Sequence, residues 1–173
     1  MNRLKTGTIL GILLVIIAGT LFHFVFEWSG NNPLVGLFFP VNESTWEHMK
    51  LSFFPMLLYS FFMNQKLKEE YPCITPSLLI GTLLATFLIP VLFYTYTGIL
   101  EGNFFVLDIA TYILSIVIAF LTIYRLTLTC NTYFSVSFLI LMVIIIAVCF
   151  LVFTYFPPKL GLFADPIFLS FVA

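Results

Sequence analysis

The sequence predicts an all-α integral membrane protein, a single bundle of about five transmembrane helices. Three observations carry this. Hydrophobic residues make up 61% of the 173-residue chain and charged residues only 9%, against roughly 25% charged in soluble domains. Polar groups therefore cannot cover a globular surface. The apolar residues gather in five stretches, each near the roughly 20 residues that cross about 30 Å of hydrocarbon. The ionisable residues fall mostly in the connections or at the stretch ends. A formal net charge of -1, with no long block of lysine or arginine, excludes a basic nucleic-acid-binding tail. The expected partners are membrane lipids and a small-molecule or lipid substrate.

The spans run approximately over 6–26, 44–64, 77–98, 104–125 and 135–156. The first follows Arg3 and Lys5, an outline shared with signal peptides, but its apolar run continues to Phe26, which favours a retained helix. The second has an uninterrupted apolar part, 51–63, that is too short to cross alone. It reaches full length only if the polar run beginning at Ser44 forms its first two turns. Pro55 and Pro90 fall inside the second and third spans, where each removes a backbone hydrogen bond and can kink the helix. Pro157-Pro158 closes the fifth span, and the tail from Leu160 to Ala173 is too short to cross and is expected at the outer surface. Between the first two spans, the turn-like Ser29-Gly30-Asn31-Asn32-Pro33 leads into a brief apolar segment, 34–39, placed to cover the start of the second span.

Cation placement sets the orientation. Arg3, Lys5, Lys66, Lys68 and Arg125 share one side, and only Lys50 and Lys159 lie on the other. The positive-inside rule then predicts a cytoplasmic N-terminus and an extracytoplasmic C-terminus in the cell membrane. Cys73 and Cys130 would lie in cytoplasmic connections and Cys149 in lipid, so no disulfide framework is expected. On the outer side fall both histidines, His23 and His48, with Glu27, Glu43, Glu47, Glu101, Asp108 and Asp165. This anionic excess suits a cation.

The densest polar run is Pro40-Val41-Asn42-Glu43-Ser44-Thr45-Trp46-Glu47-His48-Met49-Lys50. Ionisable groups near lipid are costly and mark sites by default. His23 and Glu27, four apart, share a helix face, and His48 shares its face with Ser44 and Ser52. The inward set predicted is His23, Glu27, His48 and Asp108, with Glu47 as an outer partner. His23, His48 and Asp108 are the candidate ligands of a divalent metal such as zinc. Glu27 or Glu47 is the candidate for moving protons. Plainer roles stand beside these. Ser44-Thr45-Trp46-Glu47 matches a capping box, Glu47 is spaced to pair with Lys50, and Trp28 and Trp46 suit the aromatic belt at the membrane boundary. His23 and Asp108, flanked by apolar residues, could equally fasten helices.

No His-Glu-x-x-His, glycine-rich phosphate loop, Gly-x-Ser-x-Gly elbow or internal repeat is present. Three functions remain: a metal-dependent membrane hydrolase acting on a lipid or amphiphile, a transport or solute-binding component, and a non-catalytic interaction protein.

The block His23-Phe24 through Glu27-Trp28-Ser29-Gly30, then Pro40-Val41-Asn42-Glu43-Ser44, Trp46-Glu47-His48 and Lys50, resembles a family of small uncharacterised multi-pass membrane proteins of mainly Gram-positive bacteria. Phe156-Pro157-Pro158 and Leu162-Phe163-Ala164-Asp165-Pro166 resemble that family's C-terminal motif. The resemblance implies the membrane architecture and singles out these residues. It brings no activity with it.

Overall fold

The computed structural model describes residues 3–165 and is helical throughout, with no strand among the described residues. Its elements are α1 (Arg3–Trp28), α2 (Pro33–Gly36), α3 (Thr45–Leu67), α4 (Ile74–Leu100), α5 (Phe105–Thr129), α6 (Val136–Phe153) and a final 3-10 turn, Gly161–Phe163. Four helices, α1, α4, α5 and α6, are long and apolar enough to cross a membrane. The sequence suggested five spans. The difference lies in α3, whose Glu47, His48, Lys50, Asn64 and Lys66 dilute its hydropathy although its 23 residues extend about 34 Å at 1.5 Å per residue.

Helices α1, α3, α4 and α5 pack as a ring, and α6 lies outside it against α4. The ring closes through small residues. In α1 the buried positions Leu4, Thr8, Gly11, Val15 and Gly19 recur every three or four residues, while Leu10, Leu13, Ile17 and Leu21 on its other side are exposed apolar surface. An apolar outward face is what lipid requires of such a helix. Gly11 lies beneath the rings of Tyr59 and Phe120, and Gly19 beneath Tyr112 and the Leu51 carbonyl. Close approach at small residues is how membrane helices pack in the absence of a hydrophobic drive between them. Two hydroxyls then bridge the seam: Tyr59 donates to the Gly7 carbonyl at 2.6 Å and Tyr112 to the Val15 carbonyl at 2.9 Å.

Helix α3 is the most enclosed of the long helices. Its start is set by Ser44, whose extended backbone (φ -67°, ψ 150°) lets Oγ accept from the Glu47 N–H at 3.4 Å. This is half of the expected capping box. The Glu47 carboxylate does not return to the Ser44 N–H, which bonds Asn42 Oδ1 at 2.9 Å instead. Pro55 and Pro90 sit inside continuous helices.

Two sequence expectations are corrected. Trp46 does not lie on the outer surface, as a belt residue would, but is only 6% exposed, because the end of α6 and the final turn close over it: its ring centroid lies 4.7 Å from Phe150 and 4.8 Å from Phe163. Trp28, 68% exposed, does occupy an outward position. Cys73 and Cys130 are joined in a disulfide, their Cα atoms 5.4 Å apart. The two α4–α5 helix ends that carry them meet because those helices run antiparallel, a relation invisible in a sequence separation of 57. Of the tail, residues 166–173 lie outside the described residues.

Candidate functional site: two imidazoles and a carboxylate

The end of the bundle opposite the disulfide gathers His23 from the last turns of α1, Glu43 from the loop before α3 and His48 from the second turn of α3. One ligand atom from each lies within 4.8 Å of the others. The Glu43 carboxylate stands between the rings, Oε1 at 3.5 Å from His23 Nε2 and Oε2 at 3.4 Å from His48 Nε2. The ring centroids are 5.5 Å apart. All three side chains are partly open, at 30–40% exposure, so a solute can reach them.

The backbone fixes how His48 is used. Its Nδ1 lies 3.0 Å from the Ser44 carbonyl oxygen. A carbonyl only accepts, so Nδ1 carries the proton and Nε2 faces Glu43 with either a lone pair or a second proton. A lone pair aimed at a carboxylate oxygen is repulsive. The geometry therefore calls for a positive centre between them, a proton or a metal ion. The hydrogen bond from His48 holds the Glu43 carboxyl below the usual carboxylate range, outweighing burial, and the charges of His48 and His23 act in the same direction. The loop that presents Glu43 is pinned on both sides, by the Asn42 turn bond and by Asp165 Oδ2, which accepts from the Glu43 N–H at 3.5 Å.

The other predicted residues lie elsewhere. Asp108, in the first turn of α5, accepts a short hydrogen bond from the Tyr96 hydroxyl, which also lies 2.9 Å from Asn103 Oδ1. Its charge acts on the His48 ring, but it is not among the converging ligand atoms. Glu27 is exposed in the last turn of α1. Glu47 is 2% exposed and committed to the fold. Its Oε2 accepts from Lys50 Nζ at 2.8 Å and from the Val41 N–H at 3.0 Å, and its Oε1 from the Thr154 hydroxyl at 3.2 Å. Lys50, fully buried, spends its remaining donors on the Gly36 carbonyl at 3.0 Å and on Thr154 Oγ1. All three ammonium donors are satisfied. This knot ties the α2 segment, the start of α3 and the end of α6 together.

Glu43 was absent from the predicted inward set. The signal for it was the cap itself. With Ser44 as N-cap, Glu43 is the residue before it and His48 the fourth residue of the helix, the pair of positions that a hydrophobic staple brings into contact. Here the same backbone geometry joins a carboxylate to an imidazole.

The family of unknown function DUF6512 matches residues 1–171. The chain belongs to that family. No curated protein and no solved structure matches it.

Proposed function

We propose that this DUF6512 member is a multi-pass protein of the cell membrane in which His23, Glu43 and His48 bind a divalent metal such as zinc. The metal would activate water for hydrolysis of a lipid or other amphiphile. The observation that carries the reading is the convergence of two imidazole nitrogens and a carboxylate, with His48 oriented by its second nitrogen on a backbone carbonyl. Two histidines and one carboxylate leave a fourth position for water, as in zinc hydrolases. A hydrogen bond from the far nitrogen of a ligating histidine is the usual means of orienting it. Bound zinc lowers the pKa of its water to near neutrality. Glu43 thus takes the carboxylate place first expected of Asp108. Asp108, whose charge acts on His48 and whose carboxylate holds the Tyr96 hydroxyl, is the group we assign to proton movement. Glu27, on the His23 helix, is the alternative. Cation placement supports putting this end of the bundle outside the cell and the disulfide end, with Arg3, Lys5, Lys66, Lys68 and Arg125, inside.

Elemental analysis of protein purified without chelators tests the site. The expected result is about one zinc per chain in wild type, lost in Glu43→Gln and His48→Ala and retained in Glu27→Gln, following the ligand set. Wild-type protein without metal would sink the reading. A second reading, a proton- or cation-binding component of a transporter, is favoured by the same clamp, because a carboxylate between two imidazoles holds protons as well as metals. Product release from lipid vesicles, set against solute uptake into sealed ones, separates the two.

A further inference from the structure

The cysteine pair lies at the far end of the bundle from His23, Glu43 and His48, and nothing in the proposed chemistry uses it. Its two sulfurs stand in unlike surroundings. Cys73 is the N-cap of α4, a helix of 27 residues, with no side-chain cap bond and its side chain half-buried. Cys130 is the C-cap of α5, held in the left-handed region at φ 53°, and is exposed. The positive end of a helix dipole favours a thiolate, and the negative end opposes one. In thiol–disulfide exchange the sulfur that is attacked must be accessible, and the better leaving group is the sulfur whose thiolate is the more stable. Both requirements select the same direction here.

We propose that Cys73–Cys130 is a reversible exchange site for small-molecule thiols, entered at Cys130 and with Cys73 as the leaving group. An incoming thiolate forms a bond to Cys130 Sγ as the Sγ–Sγ bond breaks, and the electron pair departs on Cys73 Sγ as a thiolate at the start of α4. A second small thiolate then attacks the sulfur of the mixed disulfide that came from the first, releasing a small-molecule disulfide and the Cys130 thiolate. Two small thiols are oxidised and one protein disulfide is reduced, and the reverse sequence, driven by a small-molecule disulfide, closes the link again. The link joins the α3–α4 connection to the α5–α6 connection. Opening it therefore releases the entry to α6, the helix that sits outside the ring, while the far end of α6 stays tied through Thr154. A disulfide able to open in this way belongs to the regulatory class and not to the inert structural one.

The experiment uses the full chain, folded in detergent micelles, with reduced glutathione as the thiol. After acid quenching at short times, peptide mapping by mass spectrometry locates the glutathione adduct. The expected result is an adduct at Cys130 in at least tenfold excess over Cys73, followed by a rise from one free thiol per chain, Cys149, to three while the helical circular dichroism is unchanged. Oxidised glutathione added to the reduced protein is expected to restore the internal link. Adducts divided evenly between the two cysteines, or found first on Cys73, would overturn the assigned direction. Thiols that appear only on unfolding, or reduced protein that gathers two glutathiones without closing, would overturn the exchange site itself. Cys149, a free cysteine on α6, falls in a separate peptide and serves as an internal reference.

Discussion

Replacing Lys50 by methionine keeps most of the side chain's length and its apolar stem but removes the ammonium that three groups surround. The Glu47 carboxylate would keep the Val41 N–H and the Thr154 hydroxyl, yet lose its counter-ion 2.8 Å away. The Gly36 carbonyl and Thr154 Oγ1 would lose a donor as well. Both charged side chains are sealed, at 0% and 2% exposure, so water cannot replace what is lost without opening the packing around them. Removing one partner of a buried pair costs about 3–5 kcal/mol. For a chain of this length each kcal/mol moves Tm by roughly 2–4 °C, which gives a fall of about 6–20 °C. Thermal unfolding in micelles, followed by circular dichroism, measures it. The informative comparison is the double variant Lys50→Met with Glu47→Gln, which removes both charges and leaves an amide whose oxygen can still accept from the Val41 N–H while its NH2 group donates to Thr154 Oγ1. It is expected to recover at least half of the loss, because the stranded charge, not the lost bond, dominates the cost. A fall of less than about 3 °C for the single variant, under the same conversion, would refute the reasoning, as would a double variant no more stable than the single one.

Two further outcomes follow from other parts of the molecule. Gly19→Ala would drive a methyl group into the Tyr112 hydroxyl and the Leu51 carbonyl, and overpacking of this kind costs about 1–3 kcal/mol; Gly98→Ala, which meets nothing within 4 Å, is the control and should not lose stability in the same unfolding assay. In metal-free protein the Glu43 carboxyl is held below its ordinary value of 4.5 by His48, so the folded state binds fewer protons there than the unfolded chain. That contribution to stability is fully present above pH 4.5 and drains away as pH falls through the lower folded value. A denaturation series across the acid range should show the slope in wild type and a weaker one in Glu43→Gln.

The helices were legible because lipid imposes length and apolarity on each segment separately, so α1, α4, α5 and α6 could be located without knowing their neighbours. The polar features depend on partners, and there the sequence said less. His23 and His48 share a level at the same end of two adjacent helices, which hydropathy and spacing alone were enough to suggest. Glu43 escaped because helical periodicity says nothing of a residue outside the helix, and its direction comes from how the loop turns into Ser44. Glu47 and Lys50 could be paired from their spacing, but Thr154, the third member, lies 104 residues beyond Lys50. The Trp46 environment was misjudged for the same reason, since α6 and the final turn that bury it arrive from the far end of the chain. Cys73 and Cys130 meet only through the antiparallel course of α4 and α5.

The distance along the chain between Lys50 and Thr154 also bears on how the protein is made. Helix α3 emerges early, carrying a carboxylate and an ammonium that a bilayer admits only at a cost of several kcal/mol unless they are screened. Its threonine partner, on the end of α6, is synthesised last of the long helices. Until then α3 can pack against α1, α4 and the α2 segment, but its buried carboxylate and ammonium still lack the Thr154 hydroxyl. The last helix therefore does more than add a wall to the bundle: its arrival completes the polar knot around Glu47 and Lys50.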